Sequence, residues 1–299
     1  MTVSSSELTL SPRRVKLTTR TGVEVRRTLP HKELRMIGAW CFVDHFGPTS
    51  EAMAMSVAAH PHTGLQTATW LFEGSIAHND SLGSRQVISP GELNLMTAGR
   101  GISHSELSVS DEQSLAGVQL WIALPESVRH IAPSFLHLGN LPVTTIEDAS
   151  ARVFIGEFQG VTSPATVYSP LVGAEVRIAA GQSMTLELRS DFEYGFLAGE
   201  GNFTIDSESV SFGELRYLST GHTAVTISAI DDVRVIVLGG QPFEEKILMW
   251  WNFICRTHEE ITQMRDAWEN GDELFGSVSD DLSERIPAPE MPAVRLNAR

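Results

Sequence analysis

Two stretches of this chain repeat each other. Residues 71–99 read LFEG…D…VISPGELNLMTAG, and residues 196–221 read FLAGEG…D…VSFGELRYLSTG. Each copy places Gly-Glu-Leu before an alternating strand pattern and closes on a Thr and a Gly. Eight residues separate the glycine of Gly-Glu-Leu from the closing glycine in both, Gly91 to Gly99 and Gly213 to Gly221. From the earlier turn glycine the distance is 17 residues in the first copy (Gly74 to Gly91) and 14 in the second (Gly199 to Gly213). A turn of variable length absorbs that difference. The chain therefore reads as two copies of one domain, which its 299 residues accommodate at roughly 150 residues per domain. Pro125, Pro133 and Pro142 mark the connector. We divide the chain into domains 1–132 and 133–299.

The domains are all-β. The runs 23–27, 67–72, 118–124, 152–157, 183–188 and 233–238 are short and rich in β-branched and apolar residues, with Gly, Pro, Asn and Asp between them. That punctuation suits sandwiches or barrels. One helix is signalled near the C-terminus, at about 257–270. Thr257 with Glu260 three residues later forms a capping box. Ile261, Met264 and Trp268 share a face, and Gly271 falls where a left-handed C-cap belongs. The helix is expected to cover sheet surface. The tail 279–299 holds Pro287, Pro289 and Pro292 and reads as an extended strap.

Charge removes some functions. The net charge is −15, and direct nucleic-acid binding needs clustered Lys and Arg. Residues 1–35 carry eight basic against three acidic side chains, too sparse for a nucleic-acid arm. Cys41 and Cys255 make neither a disulfide framework nor a thiolate metal site, so buried thiols are expected. The N-terminal segment has no apolar stretch of the secretory kind. The longest apolar run, near 247–255, is too short to span a bilayer. A cytoplasmic monomer is expected.

The chemistry lies in two short motifs. His60-Pro61-His62 is followed by His104-Ser105-Glu106. In an extended chain, residues i and i+2 point to one face, so each motif aims two donors the same way. Three neutral imidazoles and one carboxylate suit a single first-row divalent metal with open positions left over. His45 and His78 each stand alone in a polar segment and read as structural or surface residues. Counting back from the turn glycines, the second copy has Thr185 and Glu187 where the first has His60 and His62. Directly after Gly221 the chain continues HTAVTIS, a segment with no His-x-Glu. One metal is expected, in the first copy.

HPHTGLQTATWLFEGSIAHNDS and PGELNLMTAGRGISHSE together resemble the signature of the pirin family of the cupin superfamily, including its bacterial members. EVRRTLP, CFVDHFGP, the helix after RTHEEI and the closing PAPEMPAVRL are also pirin-like, so the resemblance runs through nearly the whole chain. It implies a bicupin, two jelly-roll β-barrel domains in tandem, the C-terminal one degenerate. It implies one Fe(II)-type metal on His60, His62, His104 and Glu106, with Zn, Ni, Mn, Co or Cu as alternatives. One position departs from the pattern. Most pirins have Glu four residues after the second His, and this chain has Gln66. Related flavonol dioxygenases use a carboxylate beside the metal to deprotonate the substrate hydroxyl, a task for which Glu106 and position 66 are the candidates.

Two functions follow from the resemblance. One is a quercetin 2,3-dioxygenase-type oxygenase acting on a flavonol-like aromatic substrate, with Trp70, Phe72, Met96 and Trp121 as candidates for a water-excluding wall or for plain core. The other is a non-enzymatic regulatory or protein-binding role, as a redox sensor or a transcription or metabolic cofactor, with the metal as sensor or support. An open metal position favours the first, and the loss of a carboxylate at Gln66 the second.

Overall fold

The structure is a computed structural model, and it describes residues 7–17, 24–49, 56–109, 114–147, 149–279 and 285–299. Its strands in chain order are β1 (Glu7–Leu10), β2 (Arg13–Lys16), β3 (Glu24–Leu29), β4 (Trp40–Phe46), β5 (Ser56–His62), β6 (Leu65–Glu73), β7 (Ile76–Asp80), β8 (Arg85–Ile88), β9 (Leu93–Thr97), β10 (Ile102–Ser108), β11 (Ala116–Ala123), β12 (Ser134–Leu138) and β13 (Val143–Ile146). They continue with β14 (Ala149–Phe158), β15 (Val161–Thr162), β16 (Leu171–Ile178), β17 (Ser183–Glu187), β18 (Glu193–Glu200), β19 (Phe203–Ile205), β20 (Glu208–Val210), β21 (Leu215–Leu218), β22 (Ala224–Ala229), β23 (Val233–Gly240), β24 (Leu248–Trp250) and β25 (Phe253–Cys255). One helix among the described residues, α1 (His258–Asn270), follows. No helix among the described residues is long and apolar enough to cross a membrane.

Two compact units result. One gathers residues 1–15, 26–45 and 138–243, the other residues 16–25, 46–137 and 244–299. In the first unit, β1 pairs with β21 although they lie some two hundred residues apart, Glu7 opposite Leu218 and Leu10 opposite Leu215. The main sheet runs β1-β21-β18-β23-β16-β14-β13, and a second sheet runs β17-β22-β19-β20. Inward side chains of both sheets, among them Val153, Val176, Phe196, Phe203, Ile227 and Val235, form one buried apolar core. Two antiparallel sheets packed over such a core are the jelly-roll plan of a cupin.

The second unit repeats the plan. The sheet β5-β10-β7-β8 packs on the stretch β12-β9-β6-β11. β10 lies between β5 and β7. Its alternation is read by both neighbours: His104 is opposite His60 on one side and Asp80 on the other. These positions therefore share one face of the sheet.

The equivalence of the two copies differs from the count made on sequence, by two residues at the turn glycine and by one residue at the positions that match the histidines. The turn glycine after β6 is Gly74, at φ 78°, and the one after β18 is Gly201, at φ 67°, rather than Gly199. Only glycine adopts such angles without strain. Thr185 and Glu187 point to solvent, whereas Met184 and Leu186 point into the core opposite Ile227 and Val225. The inward pairs His60–His104 and His62–Ile102 thus correspond to Met184–Ile227 and Leu186–Val225. Positions that carry imidazoles in one copy carry aliphatic side chains in the other.

The C-terminal segment braces the strands that carry the histidines. α1 starts at Thr257, whose hydroxyl accepts the Glu260 N–H at 3.2 Å, and ends at Gly271 in the left-handed conformation. Ile261 and Trp268 bury one face of the helix with Phe253, Cys255 and Phe275. Burial pushes the Cys255 thiol up to about 12, and Cys41 is buried as well. The Ile254 N–H donates to the Thr63 carbonyl at 3.0 Å, the Ile286 N–H to the Ala59 carbonyl at 2.8 Å, and Ser103 Oγ to the Phe275 carbonyl at 2.9 Å. Of the expected strap, residues 280–284 lie outside the described residues. Residues 285–299 carry no regular strand or helix.

Candidate metal centre

His60 and His62 come from β5, His104 and Glu106 from β10. All four side chains are buried. The three imidazole rings converge, with centroids 4.3 Å apart for His60–His104 and 5.0 Å for both His60–His62 and His62–His104. His60 Nδ1 lies 2.9 Å from the Ala58 carbonyl. That acceptor requires the ring proton on Nδ1 and leaves Nε2 with its lone pair. His62 Nε2 and His104 Nε2 stand 3.1 Å apart. At a metal–nitrogen length of about 2.1 Å, two donors at right angles are separated by about 3 Å, so this spacing matches adjacent corners of one coordination sphere.

The electrostatics favour an ion. Burial holds His60 down to about 4 and keeps His62 and His104 well below the ordinary imidazole range, and the like charge of neighbouring histidines adds to it. All three are neutral at pH 7, the form that binds metal. Burial raises the Glu106 carboxyl, opposed by His78 and by the Thr69 hydroxyl, which donates to Glu106 Oε1 at 3.4 Å. A buried carboxylate is costly unless a cation joins it. Among the described residues, two clusters of three donors could hold a metal: His60, His62 and His104, and His78, His104 and Glu106.

His78 thus lies at the site, not alone in a polar segment. It is buried, stacked on Phe135 at 4.4 Å between centroids, and its Nδ1 is 3.3 Å from His104 Nδ1. Its i, i+2 partner is Asp80, the same spacing that singles out the other two pairs. His45 does lie elsewhere: it is buried edge-on to Phe212 in the other unit, and burial lowers it to about 3. Gln66 donates to Thr97 Oγ1 at 2.9 Å, its cross-strand neighbour. Alternation along β6 sets Gln66 on the face opposite Thr67 and Thr69, and it is Thr69 that reaches Glu106. Trp70 and Phe72 share the Gln66 side. Trp121 and Met96 pair with Thr67 on the site side, and the Trp121 ring stands edge-on to His62 at 5.2 Å.

The family follows from comparison. The Pirin family model matches residues 22–122, and that of the pirin C-terminal cupin domain matches residues 173–274. The chain belongs to the pirin family. A Pseudomonas aeruginosa pirin relative, whose name carries an unconfirmed quercetin 2,3-dioxygenase assignment, is 42% identical over 273 residues, covering 91% of this chain and 87% of its own. Mouse pirin is 28% identical over 273 residues, covering 87% of this chain and 91% of its own. The crystal structure of an Acinetobacter baumannii quercetin 2,3-dioxygenase has a TM-score of 0.93 at 39% identity, covering 97% of each chain. This pirin is therefore a bicupin, and its relatives together with its donor clusters imply a divalent metal.

Proposed function

We propose that His60, His62, His104 and Glu106 hold one divalent metal, Fe(II) by preference, and that the site serves a quercetin 2,3-dioxygenase-type oxygenase acting on a flavonol-like substrate. The observation that carries this reading is the convergence of three buried, neutral imidazoles, His60, His62 and His104, with the buried Glu106 carboxylate gathered beside His104 on the same sheet. When bound, such a metal supplies Lewis acidity and open positions for a substrate oxygen. The protein supplies the rest. Burial keeps the imidazoles unprotonated, so cation binding displaces no proton from them. Thr69 orients one oxygen of Glu106. A carboxyl raised by burial is also a better base, so Glu106 is the group we assign to the substrate hydroxyl proton. Trp121, beside His62, excludes water from that flank. We assign no proton transfer to Gln66, because it is bonded to Thr97 on the other face of β6.

The test is oxygen uptake with quercetin by protein loaded anaerobically with Fe(II). Turnover is expected in the wild type, with a loss of about 10²–10⁴-fold in Glu106→Gln, the usual worth of a general base. Gln66→Glu is expected to change the rate by less than about threefold. A gain of tenfold or more in Gln66→Glu would return the base to that position. A wild type that holds one metal but consumes no oxygen with Fe(II), Ni(II), Mn(II), Co(II), Cu(II) or Zn(II) would favour the regulatory, protein-binding reading.

A further inference from the structure

We propose that His78 and Asp80 are positioning residues for the metal, a hydrogen-bonded line Asp80–His78–His104 that fixes the tautomer of His104 and strengthens its donor nitrogen. This rests on the metal reading above. β7 pairs with β10 on the edge away from β5, with Asp80 opposite His104 and His78 opposite Glu106. Both side chains therefore share the ligand face, and both are buried.

The distances set a direction. His104 turns Nε2 toward His62, at 3.1 Å, and Nδ1 toward His78 Nδ1, at 3.3 Å. His78 Nε2 lies 3.2 Å from Asp80 Oδ2. The other carboxylate oxygen, Oδ1, accepts the N–H groups of Leu82 at 2.9 Å and Ser84 at 3.0 Å. A neutral imidazole has one N–H. If His104 Nε2 offers its lone pair to a cation, its proton is on Nδ1 and is donated to His78 Nδ1. The proton of His78 is then on Nε2 and is donated to Asp80. Every donor meets an acceptor in this sense. In the reverse sense the proton sits on His104 Nε2 and blocks the ligand atom.

Each link is also held in place. The turn N–H groups fix the Asp80 carboxylate. The Phe135 ring, stacked on His78 at 15° between planes, fixes the imidazole. Carboxylate partners of metal-binding histidines commonly orient the ring and raise its basicity; here one further imidazole extends that arrangement. Because His78 Nδ1 accepts from His104, its lone pair is not available to the metal.

The experiment compares wild type, His78→Ala, His78→Gln and Asp80→Asn, all stripped of metal by chelator. Three quantities are read: the Zn(II) dissociation constant by chelator competition, the His104 tautomer by ¹⁵N NMR of the Zn(II)-loaded protein, and the donor set of the Co(II)-loaded protein by X-ray absorption. His78→Ala is expected to weaken Zn(II) by about 10–100-fold, the usual cost of losing such a partner, with Asp80→Asn weakening it in the same direction. Gln at position 78 can accept from His104 and donate to Asp80, so it recovers most of the loss. The NMR is expected to show the proton of His104 on Nδ1, and the Co(II) donor count is unchanged in His78→Ala. Zn(II) affinity within threefold of wild type in both His78→Ala and Asp80→Asn overturns the line alone. Loss of a nitrogen donor from the Co(II) site in His78→Ala also overturns it, by making His78 a ligand. A wild type that binds neither ion overturns the metal reading and the line with it. If His78→Ala fails to fold, His78→Gln and Asp80→Asn still decide the matter.

Discussion

Replacing His104 with Ala lowers the affinity for Zn(II) by about a hundredfold or more. Four-donor zinc sites bind with roughly 10–16 kcal/mol at pH 7, so one donor of four is worth about 3 kcal/mol, and each 1.4 kcal/mol is a factor of ten. His62→Ala has an effect of the same order, because His62 Nε2 and His104 Nε2 flank the same point. Both variants stay folded. The unit's buried apolar residues, among them Leu71, Leu93, Leu95, Val118 and Leu120, do not include the ligands. Thr185→Ala, on the solvent face of the other cupin, leaves affinity unchanged and serves as the control. Chelator competition and far-UV circular dichroism read the two effects separately. Zn(II) affinity unchanged in both His variants would remove these residues from the site.

Acid destabilises the protein with a steep slope as pH falls through the ordinary imidazole range, and the metal-free form, which lacks the binding energy of a cation, unfolds first. In the folded state burial holds His60 to about 4 and keeps His62 and His104 well below 6.5. In the unfolded chain they take up protons near 6.5. The unfolded state therefore binds more protons at mildly acid pH, and stability falls as pH falls. It is fully present above about 6.5 and is lost on the way down toward 4. Each histidine approaches a slope of about 1.4 kcal/mol per pH unit once the unfolded ring is protonated, so the three together lose about 3 kcal/mol between roughly pH 6.5 and 5.5. That is a large share of a typical domain's stability of about 5–15 kcal/mol. Glu106 works in the other sense, because burial raises its carboxyl, and offsets part of the loss at lower pH. A bound cation adds its own binding energy to the folded state and leaves this slope in place, because the buried imidazoles carry no proton in either form. His45, at about 3 in the other unit, gives the same slope with or without metal. Urea midpoints of both forms at pH 7 and 5.5 check the expectation. A midpoint of the metal-free form that does not move with pH would contradict it.

The ligand pairs are legible in sequence because a strand has a period of two. His60-Pro61-His62 and His104-Ser105-Glu106 each place two donors on one face whatever the strand pairs with. The duplication is legible in Gly-Glu-Leu, since glycines at positive φ mark where strands end: Gly91 and Gly213 precede β9 and β21, at 86° and 84°. α1 is legible in its caps. Long-range pairing is not legible. His78 and Asp80 join the site only because β7 pairs with β10, in a register that no local pattern encodes. The one-residue offset between copies comes from turn lengths, and a slip of one residue exchanges the two faces of a strand. Gln66 illustrates the same point: a position four residues after His62 says nothing about which face of β6 it occupies. The bond from Ile286 to Ala59 is likewise invisible in sequence, because it joins the tail to a strand more than two hundred residues earlier.

The central claim is that one cupin holds one metal on His60, His62, His104 and Glu106. Its most direct test is elemental analysis of protein saturated with Zn(II) and then desalted. One zinc per chain is predicted for the wild type and close to none for the double variant His62→Ala/His104→Ala. Two tightly held zinc ions per wild-type chain, or one that survives the double variant, would contradict the account.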